Sequence, residues 1–167
     1  RPMKDRVREA LFNLLGTDVK GAIAVDPFAG TGALGFEAIS RGAVAAFFGE
    51  RHFPTADALR RSAEALGVAG SVTVCPGDAL LWARRMPPIP RHAPWIVFFS
   101  PPWSLFTSAA TGIEALLAAL VAAAPPESRI VVEADDSFDP AALPDSSAWD
   151  RRPLPPAVLF LRGPVGA

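Results

Sequence analysis

Two stretches of the chain place residue types at spacings that suit chemistry. The first is Val25-Asp26-Pro27-Phe28-Ala29-Gly30-Thr31-Gly32-Ala33-Leu34-Gly35, a β-rich run feeding a glycine-rich turn and then a helical stretch. Glycines at 30 and 32 let the backbone come close to a ligand, and a helix N-terminus offers unpaired N–H groups to something polar or anionic. The spacing Gly30-x-Gly32-x-x-Gly35 is shared with dinucleotide-binding turns, where Glu50, at the tip of the next strand run, would hold ribose hydroxyls. Asp26 separates the alternatives, because a carboxylate just ahead of the turn repels a diphosphate and attracts an ammonium group. The second stretch, Ser100-Pro101-Pro102-Trp103, closes a later strand run at the carboxyl edge where open α/β sheets bind ligands.

S-adenosylmethionine (SAM) carries an ammonium group of the kind Asp26 favours. The Ser100-Pro101-Pro102-Trp103 run resembles the acid-or-amide-or-serine, Pro-Pro, aromatic signature of methyltransferases acting on exocyclic amines of nucleobases. Such an amine is a poor nucleophile, since its lone pair is delocalised into the ring. Acceptors must hold its N–H groups and aim the lone pair at the methyl carbon. Ser100 Oγ and the Pro101 carbonyl suit this role, the Pro101-Pro102 pair stiffens that carbonyl's direction, and Trp103 offers a stacking face.

The elements that must position these residues follow from periodicity. Residues 5–15 set Val7, Ala10, Leu11, Leu14 and Leu15 at helical spacing before Gly16, an amphipathic helix leading the chain over 1–16. Strand runs then fall at 22–26, 45–50, 71–75, 95–100 and 129–134, with helical stretches at 32–41, 54–66, 79–85 and 109–124. Runs apolar throughout fit a parallel sheet covered on both faces. The expected fold is α/β and doubly wound, with residues 157–162 as a last edge strand.

Length and composition bound the rest. At 167 residues with 50% apolar content, one domain over 1–167 is expected. No apolar run is long enough to span a membrane, and no signal-peptide pattern opens the chain, which reads as a soluble, cytoplasmic protein. The opening at Arg1 with a motif under way suggests a segment upstream. A lone Cys75 precludes an internal disulfide, and with two histidines no metal site is expected. Cys75 reads as a core thiol, and Asp135, Asp136 and Asp139 as a solvated acidic loop. Net charge is −1, yet the 35 residues between Asp78 and Glu114 hold no acid. Arg84, Arg85, Arg91 and His92 interleave there with Trp82, Trp95, Phe98, Phe99, Trp103 and Phe106. With Arg1, Lys4, Arg6 and Arg8, the three arginines of that stretch are candidate RNA-phosphate contacts on a locally positive face.

Taken whole, the chain resembles the RsmD-type bacterial methyltransferases, which modify guanine N2 in small-subunit (16S) ribosomal RNA. The likeness runs through Arg1-Pro2, Arg6-Val7-Arg8-Glu9-Ala10-Leu11-Phe12, Asp26 to Gly35, Glu37 to Ala43, Glu50, Asp78-Ala79 and the Pro101-Pro102 pair. It implies a Rossmann-like class I methyltransferase fold, a mostly parallel seven-stranded sheet with helices on both faces and an antiparallel edge strand. It also implies SAM as cofactor and ribosomal RNA, in a small-subunit assembly particle, as partner of a monomer. By the resemblance, Asp26, Phe28, Gly30 and Gly32 would cradle the methionine part of SAM, Glu50 its ribose, and Asp78 with the Ala79 backbone its adenine. Ser100 stands where the family usually has aspartate, and Trp103 where it has tyrosine or phenylalanine. A neutral hydroxyl accepts a weaker hydrogen bond than a carboxylate. Aspartate at 100 is therefore expected to serve at least as well. The competing readings are a catalytically impaired SAM- and RNA-binding protein, an amino-methyltransferase acting on cytosine N4 or adenine N6, and, more remotely, a NAD-type oxidoreductase.

Overall fold

A computed structural model describes residues 5–163, so Arg1 and Lys4 lie outside the described residues. Helix α1 (Asp5–Leu15) leads into β1 (Ile23–Asp26), α2 (Ala33–Ser40), β2 (Ala45–Glu50), α3 (Phe53–Ala65) and β3 (Val72–Pro76). A 3-10 turn at Ala79–Ala83 precedes β4 (Trp95–Phe99), and α4 (Leu105–Ser108) and α5 (Ala110–Ala123) lead to β5 (Arg129–Asp135). The chain closes through β6 (Trp149–Leu154) and β7 (Ala157–Arg162).

The seven strands are ordered β3-β2-β1-β4-β5-β7-β6, parallel from β3 through β5, with β7 antiparallel to both β5 and β6. The order reverses between β1 and β4, which puts a crevice at the carboxyl ends of those two strands. Strand residues alternate between two apolar layers. Ile23, Val25, Phe47, Trp95, Val97, Phe99, Ile130 and Val132 face α5 and Trp82, while Ala24, Ala46, Phe48, Ile96, Phe98 and Val131 face α1 and α2. This two-sided burial is why the runs read as apolar throughout. Helix α1 presents Val7, Leu11, Phe12 and Leu15 to the second layer, with Phe12 against Phe98 at 5.7 Å between ring centroids. Burying each such side chain contributes about 1.5–3 kcal/mol.

Three expectations are corrected. Residues 157–162 form the strand next to the edge, and Trp149–Leu154 forms the edge itself. The reason is polarity: β7 is buried along almost its whole length, whereas β6 carries Asp150, Arg151 and Arg152 into solvent, as an edge tolerates. The helix expected at 79–85 is a single 3-10 stretch. Asp78 caps it by accepting from the Leu80 N–H at 3.0 Å, and the chain then turns into a proline-rich descent. The aromatic residues at 82, 95, 98 and 99 do not interleave with the arginines on a surface. All four are core residues, leaving Arg84, Arg85, Arg91 and His92 exposed alone. No described helix is long and apolar enough to cross a membrane.

Candidate functional site

The glycine turn leaves β1 because its backbone needs conformations that only glycine adopts cheaply. Gly30 has φ +55° and Gly32, which caps α2, has φ +82°. A Cβ at Gly32 would meet Leu59 and Phe36 at 2.6 Å, whereas one at Gly30 would meet nothing within 4 Å, so position 30 faces open space. That space is a cleft of about 290 Å³ at the carboxyl edge. Its walls include Phe28 and Gly30 from the turn, Glu50 from β2, Asp78, Ala79 and Leu80 after β3, and Ser100 and Pro102 after β4. Sequence elements as far apart as Phe28 and Pro102 thus meet around one cavity at the crevice between β1 and β4.

Each polar group on the wall has a defined hold. Glu50 accepts from the Gly30 N–H at 3.1 Å through Oε1 and from the His52 N–H at 2.8 Å through Oε2. A carboxylate has about four lone-pair sites, so two remain for a ligand's hydroxyls. Phe28 is steadied by an edge-on contact with Phe99, ring centroids 5.5 Å apart. Gly49 lets β2 run close beneath the turn: its carbonyl accepts from the Ala29 N–H at 2.9 Å, and a Cβ there would strike the Pro27 carbonyl oxygen at 2.6 Å.

Asp26 does not line the cleft. It sits at the end of β1 behind Pro27, 1% exposed, with Oδ1 lacking any hydrogen-bond partner. Burial, only partly offset by the Phe28 N–H and reinforced by the Glu50 charge, lifts its pKa from 3.8 to about 7. A buried acceptor without a donor is a costly arrangement that a cationic ligand would relieve. A diphosphate fits poorly here, since Gly30 already gives its N–H to a carboxylate and Asp26 adds a second acid.

On the other wall, Ser100 is 8% exposed, and its Oγ donates to Oε2 of Glu133, a β5 residue 2% exposed. Pro101 is buried and off the cleft wall, while Pro102 lines the cleft and its carbonyl accepts from the Leu105 N–H at 2.9 Å. Trp103 is half-buried, packs against the α1-side layer and does not line the cleft. Gly32 lies behind the wall as well.

The candidate cations spread out. Arg6, at the start of α1, donates to the Pro155 carbonyl in the β6–β7 turn, close to the carboxyl edge, and Arg8 pairs with Asp5 at 3.0 Å. Arg84 and Arg85 follow the 3-10 turn and are exposed. Arg91 comes just before β4 begins, so the length of that strand, roughly 16 Å, separates it from the cleft. The other readings find simple places. Cys75 is half-buried on β3, where burial pushes its thiol up. His52 is exposed beside Thr55, and Asp135 and Asp139 each accept a backbone N–H two residues on.

Glu133 is the residue that motif reading passed over. Its signal was an acid set among the apolar residues of 129–134, at a position that the β4–β5 register places beside Ser100.

Among solved structures, "Putative methyltransferase yhhF" from Escherichia coli is 28% identical, with a TM-score of 0.76 over 96% of this chain and 86% of that one. An RNA methyltransferase from Salinibacter ruber in complex with S-adenosyl-L-homocysteine is 18% identical and shares the fold, with a TM-score of 0.69 over 100% of this chain and 95% of that one. The seven-stranded sheet is the Rossmann-like class I methyltransferase architecture. Ribosomal RNA small subunit methyltransferase D of Escherichia coli K12 is 39% identical over 103 residues, 62% of this chain and 50% of that protein. The match thus spans about half the length of the curated relatives. The family model described as Conserved hypothetical protein 95 matches residues 1–149, and the chain belongs to that family, the RsmD family.

Proposed function

We propose that the chain transfers a methyl group from SAM to the exocyclic N2 amine of a guanine in small-subunit ribosomal RNA. One observation carries the reading: a glycine turn, backed by a buried carboxylate with one oxygen unpartnered, and a Ser-Pro-Pro corner open onto the same cleft. Family membership and the relatives named for small-subunit ribosomal RNA support it.

When bound, SAM supplies an electrophilic methyl carbon on a positively charged sulfur. The residues present fit it. The Asp26 carboxylate, buried just behind the turn, would attract the ammonium end, the Gly30 turn leaves room for the methionine chain, and Glu50 has lone pairs for two ribose hydroxyls. Asp78 uses Oδ1 as a cap, leaving Oδ2 for the adenine amine. Ser100, on the cleft wall, would orient the target amine. Positioning of this kind supplies most of the rate when the nucleophile is weak. Arg6, Arg84 and Arg85, near the carboxyl edge, are the described cations best placed for RNA phosphates. With a net charge of −1, the chain suits a substrate presented by a small-subunit assembly particle better than free RNA.

Calorimetry with SAM and with NAD, followed by transfer of labelled methyl to small-subunit RNA, tests the proposal. SAM binding and RNA labelling at guanine N2 are expected. Binding of NAD in place of SAM would remove the reading, and SAM binding without transfer would favour a protein that has lost catalysis.

A further inference from the structure

Ser100 lines the cleft and Glu133 does not, yet the two buried side chains share a hydrogen bond in which the hydroxyl donates to the carboxylate. Their placement is set by the sheet. Phe99 pairs with Val132, so Ser100 and Glu133 come next in register, pointing to the same face of adjacent parallel strands. A serine hydroxyl has one proton to give and two lone pairs. Left alone, it could turn and donate to the amine's lone pair, quenching the nucleophile it is meant to orient. Committing that proton to Glu133 leaves only lone pairs for the cleft, and donation to a carboxylate makes the oxygen a stronger acceptor.

We propose that Glu133 is a positioning residue for methyl transfer, holding the Ser100 hydroxyl in acceptor orientation and taking the target amine's surplus proton through it. The inference rests on the reading of the cleft as an amino-methyltransferase site. The nitrogen, once bonded to the methyl carbon whose former pair stays on sulfur, carries one proton more than the neutral product. That proton passes to Ser100 Oγ as the hydroxyl's own proton moves to Glu133 Oε2. The serine is regenerated, and the carboxylate ends as a carboxylic acid that later returns its proton to solvent. The negative charge that aspartate would bring to position 100 is thus already present one strand away. Glu133 also reverses the expectation for aspartate there, because Ser100→Asp would set two buried carboxylates side by side.

The test is a charge exchange: Ser100→Asp, Glu133→Gln and the double variant, assayed for methyl transfer to small-subunit RNA, SAM affinity and thermal midpoint. Glu133→Gln keeps the size of the side chain and should lower kcat by about 10- to 100-fold, with SAM affinity within about twofold. Ser100→Asp should lower both kcat and the midpoint. The double variant, with one carboxylate and an amide donor, should regain most of each. Recovery of the midpoint reads the pairing without any turnover. Wild-type kcat in Glu133→Gln, a loss of SAM affinity equal to the loss of kcat, or a double variant no better than the worse single would each overturn the proposal. A wild-type chain without transfer would bring down the parent reading as well, and that appears before any substitution is made.

Discussion

On the β1–β3 side of the cleft the acids are held by backbone: Glu50 by the amides of Gly30 and His52, and Asp78 by that of Leu80. On the β4–β5 side Ser100 is held by a side chain, Glu133, from the neighbouring strand. The first arrangement is local, since each carboxylate is fixed by a turn within its own sheet edge and survives as long as that turn does. The second depends on two strands joined by a long crossover through α4 and α5. A side suited to holding a cofactor is therefore pre-formed by glycine and capping geometry, while the side suited to acting on a base is tuned by one pair of side chains. Asp26 stands between them, buried and half-satisfied.

The largest effect should come from Asp26. Its pKa is raised from 3.8 to about 7, so between those values the folded chain binds a proton that the unfolded chain has lost. Stability of the ligand-free protein should fall as pH rises through that window, by up to about 4 kcal/mol, and Asp26→Asn should remove this contribution. Denaturation of both proteins at acidic and neutral pH gives the difference directly, and parallel profiles would mean that Asp26 is ionised throughout. SAM affinity should run the other way, weakening as pH falls below about 7 and the ammonium's partner is neutralised.

Ser100→Ala sharpens the opposite wall. It should reduce kcat by about 10- to 1000-fold while SAM binding holds, because the lost acceptor acts mainly in the transition state. An equal fall in cofactor affinity would erase the division between the two sides. Glu50→Ala is the counterpart, expected to weaken SAM binding by about 1.5–3 kcal/mol through loss of charged hydrogen bonds. Calorimetry reads it, and unchanged affinity would move the ribose elsewhere. The smallest effect is expected outside the cleft. Charge reversal at Arg84 and Arg85 should lower the salt dependence of RNA binding by about one unit of slope per phosphate contact, leaving SAM affinity alone. A retained slope would mark both as solvated bystanders.

What sequence made legible follows the same division. Five strand runs, the leading helix and the turn at Gly30 were readable because apolar continuity and glycine spacing are local signals. Phe28, Gly30, Glu50, Asp78, Ala79, Ser100 and Pro102, each picked out by a local motif, all line one cleft. Glu133 was not legible, because its meaning lies in register with a residue 33 positions earlier. The arginine-rich stretch misled for a related reason: its tryptophans and phenylalanines are consumed by the two apolar layers, which a linear reading cannot distinguish from a surface. The edge position of β6 was hidden by its charges, which resemble a loop until a neighbouring strand supplies the ladder.

The alternation of side chains across β4 and β5 has a further consequence. A slip of one residue between these strands would send Glu133 to the opposite layer and leave Ser100 facing an apolar neighbour. The hydrogen bond can therefore exist only in a sheet assembled in its native alignment, and a chain trapped in a shifted pairing could retain the glycine turn while lacking it. Cofactor capture and turnover would then mature at different stages of refolding, so that the delay between them would time the docking of β5 onto β4.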